Sequence, residues 1–127
     1  MPTENEIGTI IVDAAVKIHQ TLGPGLLESV YETVMEHNLH QHGLLVARQV
    51  PIPIVYKDLS FDEGFRADLI VEGKVIIELK SVETIHPVHK KQLLTYLKLT
   101  DLKLGYLLNF GAELMKLGIT RTINGQL

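Results

Sequence analysis

The run Val75-Ile76-Ile77-Glu78-Leu79-Lys80 constrains this chain more than any other stretch. Its length and β-branched content mark a buried strand. Yet it carries charge at two alternate positions, Glu78 and Lys80, and alternation puts both on one face. Unpaired charge in a core is expensive, so these groups need partners. Asp68 lies in the preceding β-rich run, Phe65–Val71, separated from Lys74–Ser81 by Glu72-Gly73. The two runs read as a hairpin. Two carboxylates facing each other there can hold a hard divalent cation, with the Lys80 ammonium aimed at a phosphate or an attacking water. The plainer alternative is an ion pair at a strand end, with Lys80 emerging into solvent.

Register separates the two. A strict two-residue turn pairs Val71 with Lys74 and sends Asp68 and Glu78 to opposite faces. A three-residue loop, Glu72-Gly73-Lys74, pairs Val71 with Val75 and sets Asp68 opposite Glu78. A bulge has the same effect. A metal site therefore requires an odd loop or a bulge.

The 127 residues suit one domain, 1–127, with one core. Apolar residues at Ile7, Ile10, Ile11, Ala14, Ala15, Ile18 and Leu22 have helical spacing, and Gly23-Pro24-Gly25 ends that helix. A second helix is expected from Leu26 to His42, with Leu27, Val30, Tyr31 and Val34 as its apolar side. Val46–Tyr56 is extended, and Pro51 and Pro53 mark it as an edge or bulged strand. Val88–Leu99 returns to helical spacing. Leu104–Asn109 is a short buried strand, and Ile119–Ile123 a last one. The order α-α-β-β-β-α-β-β gives a layered α/β or α+β domain, a mixed sheet flanked by helices.

Further candidates surround the hairpin. Gln92 and Tyr96 share a helix face, with His89 one turn earlier. Beside a carboxylate site they can orient water or bind phosphate; otherwise they form a half-exposed face with a core tyrosine. Glu28 sits in the first turn of the second helix, either as a third carboxylate or as an acid suited to the helix dipole. His37, His40 and His42 read as a solvated helix end before they read as a zinc site. His19 either meets Glu28 across the glycine-proline turn or caps the first helix. Lys90, Lys91 and Arg121 are candidate phosphate contacts or plain surface charges.

Other classes fall away. There is no cysteine, hence no disulfide, thiolate metal site or cysteine nucleophile. Phosphate-cradling glycine loops, dinucleotide fingerprints and Gly-x-Ser-x-Gly elbows are absent. No apolar run is long enough to span a membrane, and the acidic N-terminus lacks signal-peptide character, so a cytoplasmic setting is expected. The net charge of -3 lacks the basic surplus of a strong stand-alone duplex binder, though site carboxylates lower it by themselves. A non-catalytic binding module is the competing class. A homodimer paired through the strand around Ile52 and Ile54 is compatible with either.

The run His19-Gln20-Thr21-Leu22-Gly23-Pro24-Gly25-Leu26-Leu27-Glu28-Ser29-Val30-Tyr31-Glu32 closely resembles the signature of the GxxExxY protein family, its motif falling on Gly25, Glu28 and Tyr31. The resemblance continues through Arg48-Gln49-Val50-Pro51, Asp68-Leu69-Ile70-Val71, Glu78-Leu79-Lys80 and Gln92-Leu93-Leu94-Thr95-Tyr96-Leu97. It ends with Gly105–Gly111 and Gly118–Arg121. That family is placed in the PD-(D/E)XK nuclease superfamily. The resemblance implies a restriction-endonuclease-like α/β core with Mg²⁺ or Mn²⁺ held by Asp68 and Glu78, completed by Glu28. It makes Lys80 the catalytic lysine, and Gln92 with Tyr96 an accessory Gln-x-x-x-Tyr motif. Arg66-Ala67 stands where the superfamily name has its proline. Nucleic acid is the implied substrate, DNA before RNA.

Overall fold

The computed structural model describes all 127 residues. Helix α1 (Glu4–Leu22) starts on a reciprocal cap. The Thr3 hydroxyl accepts from the Glu6 backbone, and the Glu6 carboxylate accepts from Thr3 N–H. This Thr-x-x-Glu signal puts the helix start three residues before the expected Ile7. Helix α2 (Glu28–Gln41) begins two residues later than expected, because Leu27 is its extended N-cap. The apolar side shifts accordingly: Leu27 and Val30 are exposed, while Tyr31, Met35 and Leu39 are buried at i, i+4 and i+8.

Strands β1 (Val46–Tyr56), β2 (Leu59–Val71) and β3 (Val75–Lys80) form an antiparallel meander. Strand β2 begins six residues before the expected Phe65 and makes a second hairpin, with β1, turning at Lys57-Asp58. Strand β1 lies at the sheet edge, and its register slips between Ile52 and Ile54, so the expectation from Pro51 and Pro53 holds in both respects. Helix α3 (Pro87–Thr100) then crosses over to β4 (Leu104–Asn109), which runs parallel to β3. The single-turn helix α4 (Met115–Gly118), not foreseen, leads into β5 (Ile119–Ile123), antiparallel to β4. The sheet order is β1-β2-β3-β4-β5.

The result is an α/β fold: a mixed sheet with α1 and α2 on one face and α3 on the other, consistent with a restriction-endonuclease-like core. Ile7, Ile11, Ala14, Ala15 and Ile18 of α1 pack with Tyr31, Met35 and Leu39 of α2 on Leu69, Ile77, Leu79 and Leu108. Across the sheet, Leu93 and Leu97 of α3 pack on Ala67, Ile76 and Leu107. Both faces being covered, β3 and β4 are apolar nearly throughout, as parallel strands require. Glu78 and Lys80 are the charged exceptions to explain. No helix is long and apolar enough to cross a membrane.

Candidate metal and phosphodiester site

The hairpin takes the three-residue form. Val71 pairs with Val75, and Lys74 N–H donates to Val71 O at 2.9 Å. Glu72 and Gly73 turn the chain at φ 54° and 63°. The last ladder pair is Leu69 with Ile77. Beyond it the backbone ladder stops and side chains take over. Asp68 N–H donates to Glu78 Oε2 at 2.8 Å, and Leu79 N–H donates to Asp68 Oδ2 at 2.8 Å. Each carboxylate thus satisfies the backbone of the opposite strand, and the two acids lie face to face.

Strand alternation breaks at the same place. Leu69 enters the larger core and Ala67 the smaller one, although residues two apart should share a face. On β1, Gln49 opposite has φ 52°, a conformation uncommon outside glycine. The ribbon turns over at Gln49 and Asp68, next to Glu78, which lies on the α3 face with Ile76.

Two carboxylates this close and this dry resist ionising together. Burial, then the charge of Asp68, push Glu78 from 4.5 up to about 8. Burial also raises Asp68, against the hydrogen bond from Leu79. Lys80 lowers both but forms no ion pair with either, so the strand-end ion pair is not what the residues make. Its place is fixed from behind. Lys80 pairs with Asn109 in the ladder, and its carbonyl accepts from Phe110 N–H at 2.8 Å. The buried Asn109 amide clamps the chain just beyond, accepting from Val82 N–H and Gly111 N–H and donating to Val82 O. Gly111 permits this, since a Cβ there would strike the Val82 backbone.

Tyr96 stacks on Phe65 with ring centroids 3.9 Å apart, and its hydroxyl is raised by burial and then by Glu78 and Asp68. Gln92, one turn earlier, is exposed. His89 buries an unpartnered Nδ1; desolvation, then Lys80, hold its imidazole below the ordinary range.

Glu28 does not complete a three-carboxylate set. It lies exposed on the first turn of α2, beside Leu26, Ser29 and Ser81, and no three His, Asp or Glu side chains gather around one point. The α2 carboxylate that acts on the pair is Glu32, one turn on and 6% exposed. It accepts from Arg48 Nε at 2.7 Å and from Gln49 Nε2 at 2.5 Å. The available signal was an acid on the Tyr31-Met35 side of the helix, with Arg48 and Gln49 to receive it.

The remaining candidates make other contacts or lie exposed, Lys90 and Lys91 among the latter. His19 is buried, with Nε2 2.8 Å from Ala112 O, and meets neither Glu28 nor solvent. The Tyr31 hydroxyl donates to Gly23 O and accepts from Leu26 N–H, closing the glycine-proline turn. His37, His40 and His42 lie on the exposed end of α2, and no metal-holding group forms there. Arg121 donates to Asn5 Oδ1 at 2.6 Å, beside a groove of about 570 Å³ against α1 that the acid pair does not line.

The donor set fits a divalent cation of the Mg²⁺ type, which takes one or two carboxylates and keeps several waters. Glu78 Oε1 carries no protein hydrogen bond, and Asp68 Oδ1 only a long one, at 3.4 Å from Gln49. A family model described as the PD-(D/E)XK nuclease superfamily matches residues 5–122. No curated protein and no solved structure matches the chain.

Proposed function

The chain belongs to the PD-(D/E)XK nuclease superfamily, and we propose that it is a nuclease dependent on Mg²⁺ or Mn²⁺ that hydrolyses phosphodiesters of DNA in preference to RNA. The observation that carries this is the hairpin register, which sets Asp68 against Glu78 where the ladder opens.

Asp68 Oδ1 and Glu78 Oε1 would hold the ion. Bound there, it supplies Lewis-acid activation of a phosphodiester and of its water. Lys80, held by the Asn109 clamp, donates to a non-bridging phosphate oxygen and stabilises charge on phosphorus. Tyr96, whose hydroxyl feels the charges of Glu78 and Asp68, and the exposed Gln92 one turn earlier on α3 would contact substrate or water. Glu28 lies at the rim, where its role is electrostatic, toward His89.

The test is cleavage of single-stranded, duplex and branched DNA and of RNA with Mg²⁺ or Mn²⁺, in the parent and in Asp68→Asn, Glu78→Gln and Lys80→Met. Metal-dependent cutting by the parent, lost in all three, is the expected result. Equal cutting by parent and variants would sink these assignments. A folded parent that binds nucleic acid without cutting it would favour the non-catalytic module.

A further inference from the structure

Gln49 takes no part in the chemistry above, yet it ties the acid pair to helix α2. Its Nε2 lies 2.5 Å from Glu32 Oε1 and 3.4 Å from Asp68 Oδ1. Ionised carboxylates only accept, so the amide must turn its NH₂ end to both. It does so from the left-handed backbone that breaks β1 opposite Asp68. Its anchor is itself fixed: Glu32 is buried and held from the other side by Arg48, which also donates to Thr33 Oγ1 at 2.9 Å and Glu36 Oε1 at 3.5 Å. The anchor therefore cannot simply follow Asp68.

We propose that Gln49 is a positioning residue, which with Glu32 and Arg48 fixes the Asp68 carboxylate in the orientation that receives the cation. Leu79 N–H holds Oδ2 at 2.8 Å and the longer Gln49 contact, at 3.4 Å, orients Oδ1, so two elements act on the plane of the carboxylate. Each bond takes one lone pair and leaves the other free. The proposal rests on Asp68 as a metal ligand. It differs from a third-ligand role for α2, since Glu32 acts through Gln49 and touches no ion.

Gln49→Met keeps the length of the side chain and removes both donors. Mg²⁺ binding by calorimetry should weaken about tenfold, the lower end of the range for outer-shell partners of a metal ligand. The protein should still fold in EDTA with a somewhat lower melting temperature, because the buried Glu32 carboxylate keeps Arg48 but loses the Gln49 donor. Glu32→Gln, which keeps an acceptor for Gln49, should retain more affinity than Glu32→Ala. Parental Mg²⁺ affinity in Gln49→Met and Glu32→Ala would overturn the proposal. If the parent binds no Mg²⁺, the metal assignment fails separately, and the Gln49 side-chain NH₂ resonances decide on the bridge. A shift on Asp68→Ala supports it, and no shift overturns it.

Discussion

Glu78→Gln should make the metal-free protein more stable at alkaline pH while removing its site. In the folded, metal-free chain Glu78 keeps its proton up to about 8, whereas the unfolded chain releases it near 4.5. The folded state therefore binds the extra proton across that window, and stability falls as pH rises from 4.5 through 8. Below 4.5 the cost is absent; above 8 it is complete. At about 1.36 kcal/mol per pH unit the interval amounts to about 5 kcal/mol. Glutamine has no such proton to lose, and its Oε1 still accepts from Asp68 N–H. Removing the second charge also relieves Asp68, whose shift runs in the same direction. A gain of about 3–5 kcal/mol is large for a domain whose total stability is of order 5–15 kcal/mol. The assay is urea unfolding of parent and variant in EDTA from pH 4 to pH 9. The curves should coincide near pH 4 and diverge through neutrality. A variant no more stable than the parent at pH 9 would refute the reasoning, because the acid pair would then carry no strain.

The same proton links cation binding to pH: Mg²⁺ affinity should rise by up to about tenfold per pH unit between pH 6 and 8, with about one proton released, measured by calorimetry in buffers of different ionisation enthalpy. Lys80→Met should abolish cleavage yet bind Mg²⁺ at least as well as the parent, since it removes a cation beside the site. Tyr31→Phe loses two hydrogen bonds in the Gly23–Leu26 turn and should cost about 1–2 kcal/mol in chemical denaturation. Gly111→Ala should cost more than that and reduce cleavage, because it pushes the Val82 backbone off the Asn109 clamp that holds Lys80.

Much of the fold was legible because its strands and helices are strongly periodic. The buried stretches Val75–Lys80 and Leu104–Asn109 announce themselves by mostly apolar content, and the charges within the first point to the hairpin register. The first half of β2 was not legible. Leu59–Gly64 is exposed and polar around Asp62 and Glu63, and it pairs only because β1 continues beside it. The α2 stripe is displaced from the one the spacing suggests because Leu27 is the cap and not a helical residue. That shift also hid Glu32, since a buried glutamate looks like a surface one until Arg48 and Gln49 are seen to meet it. Glu28, by contrast, follows from motif resemblance, and the chain folds with it exposed.

The place where the β2–β3 ladder stops has one more consequence. Two backbone amides, those of Asp68 and Leu79, depend for their partners on side chains of the opposite strand. They are therefore reporters built into the sheet. Their hydrogen-exchange rates should answer to whatever happens to the two carboxylates, whether protonation, substitution or an arriving ion. The amides of Val71 and Val75, a few residues away in the intact ladder, should not. The site can thus be read from the main chain alone, before any substrate is known.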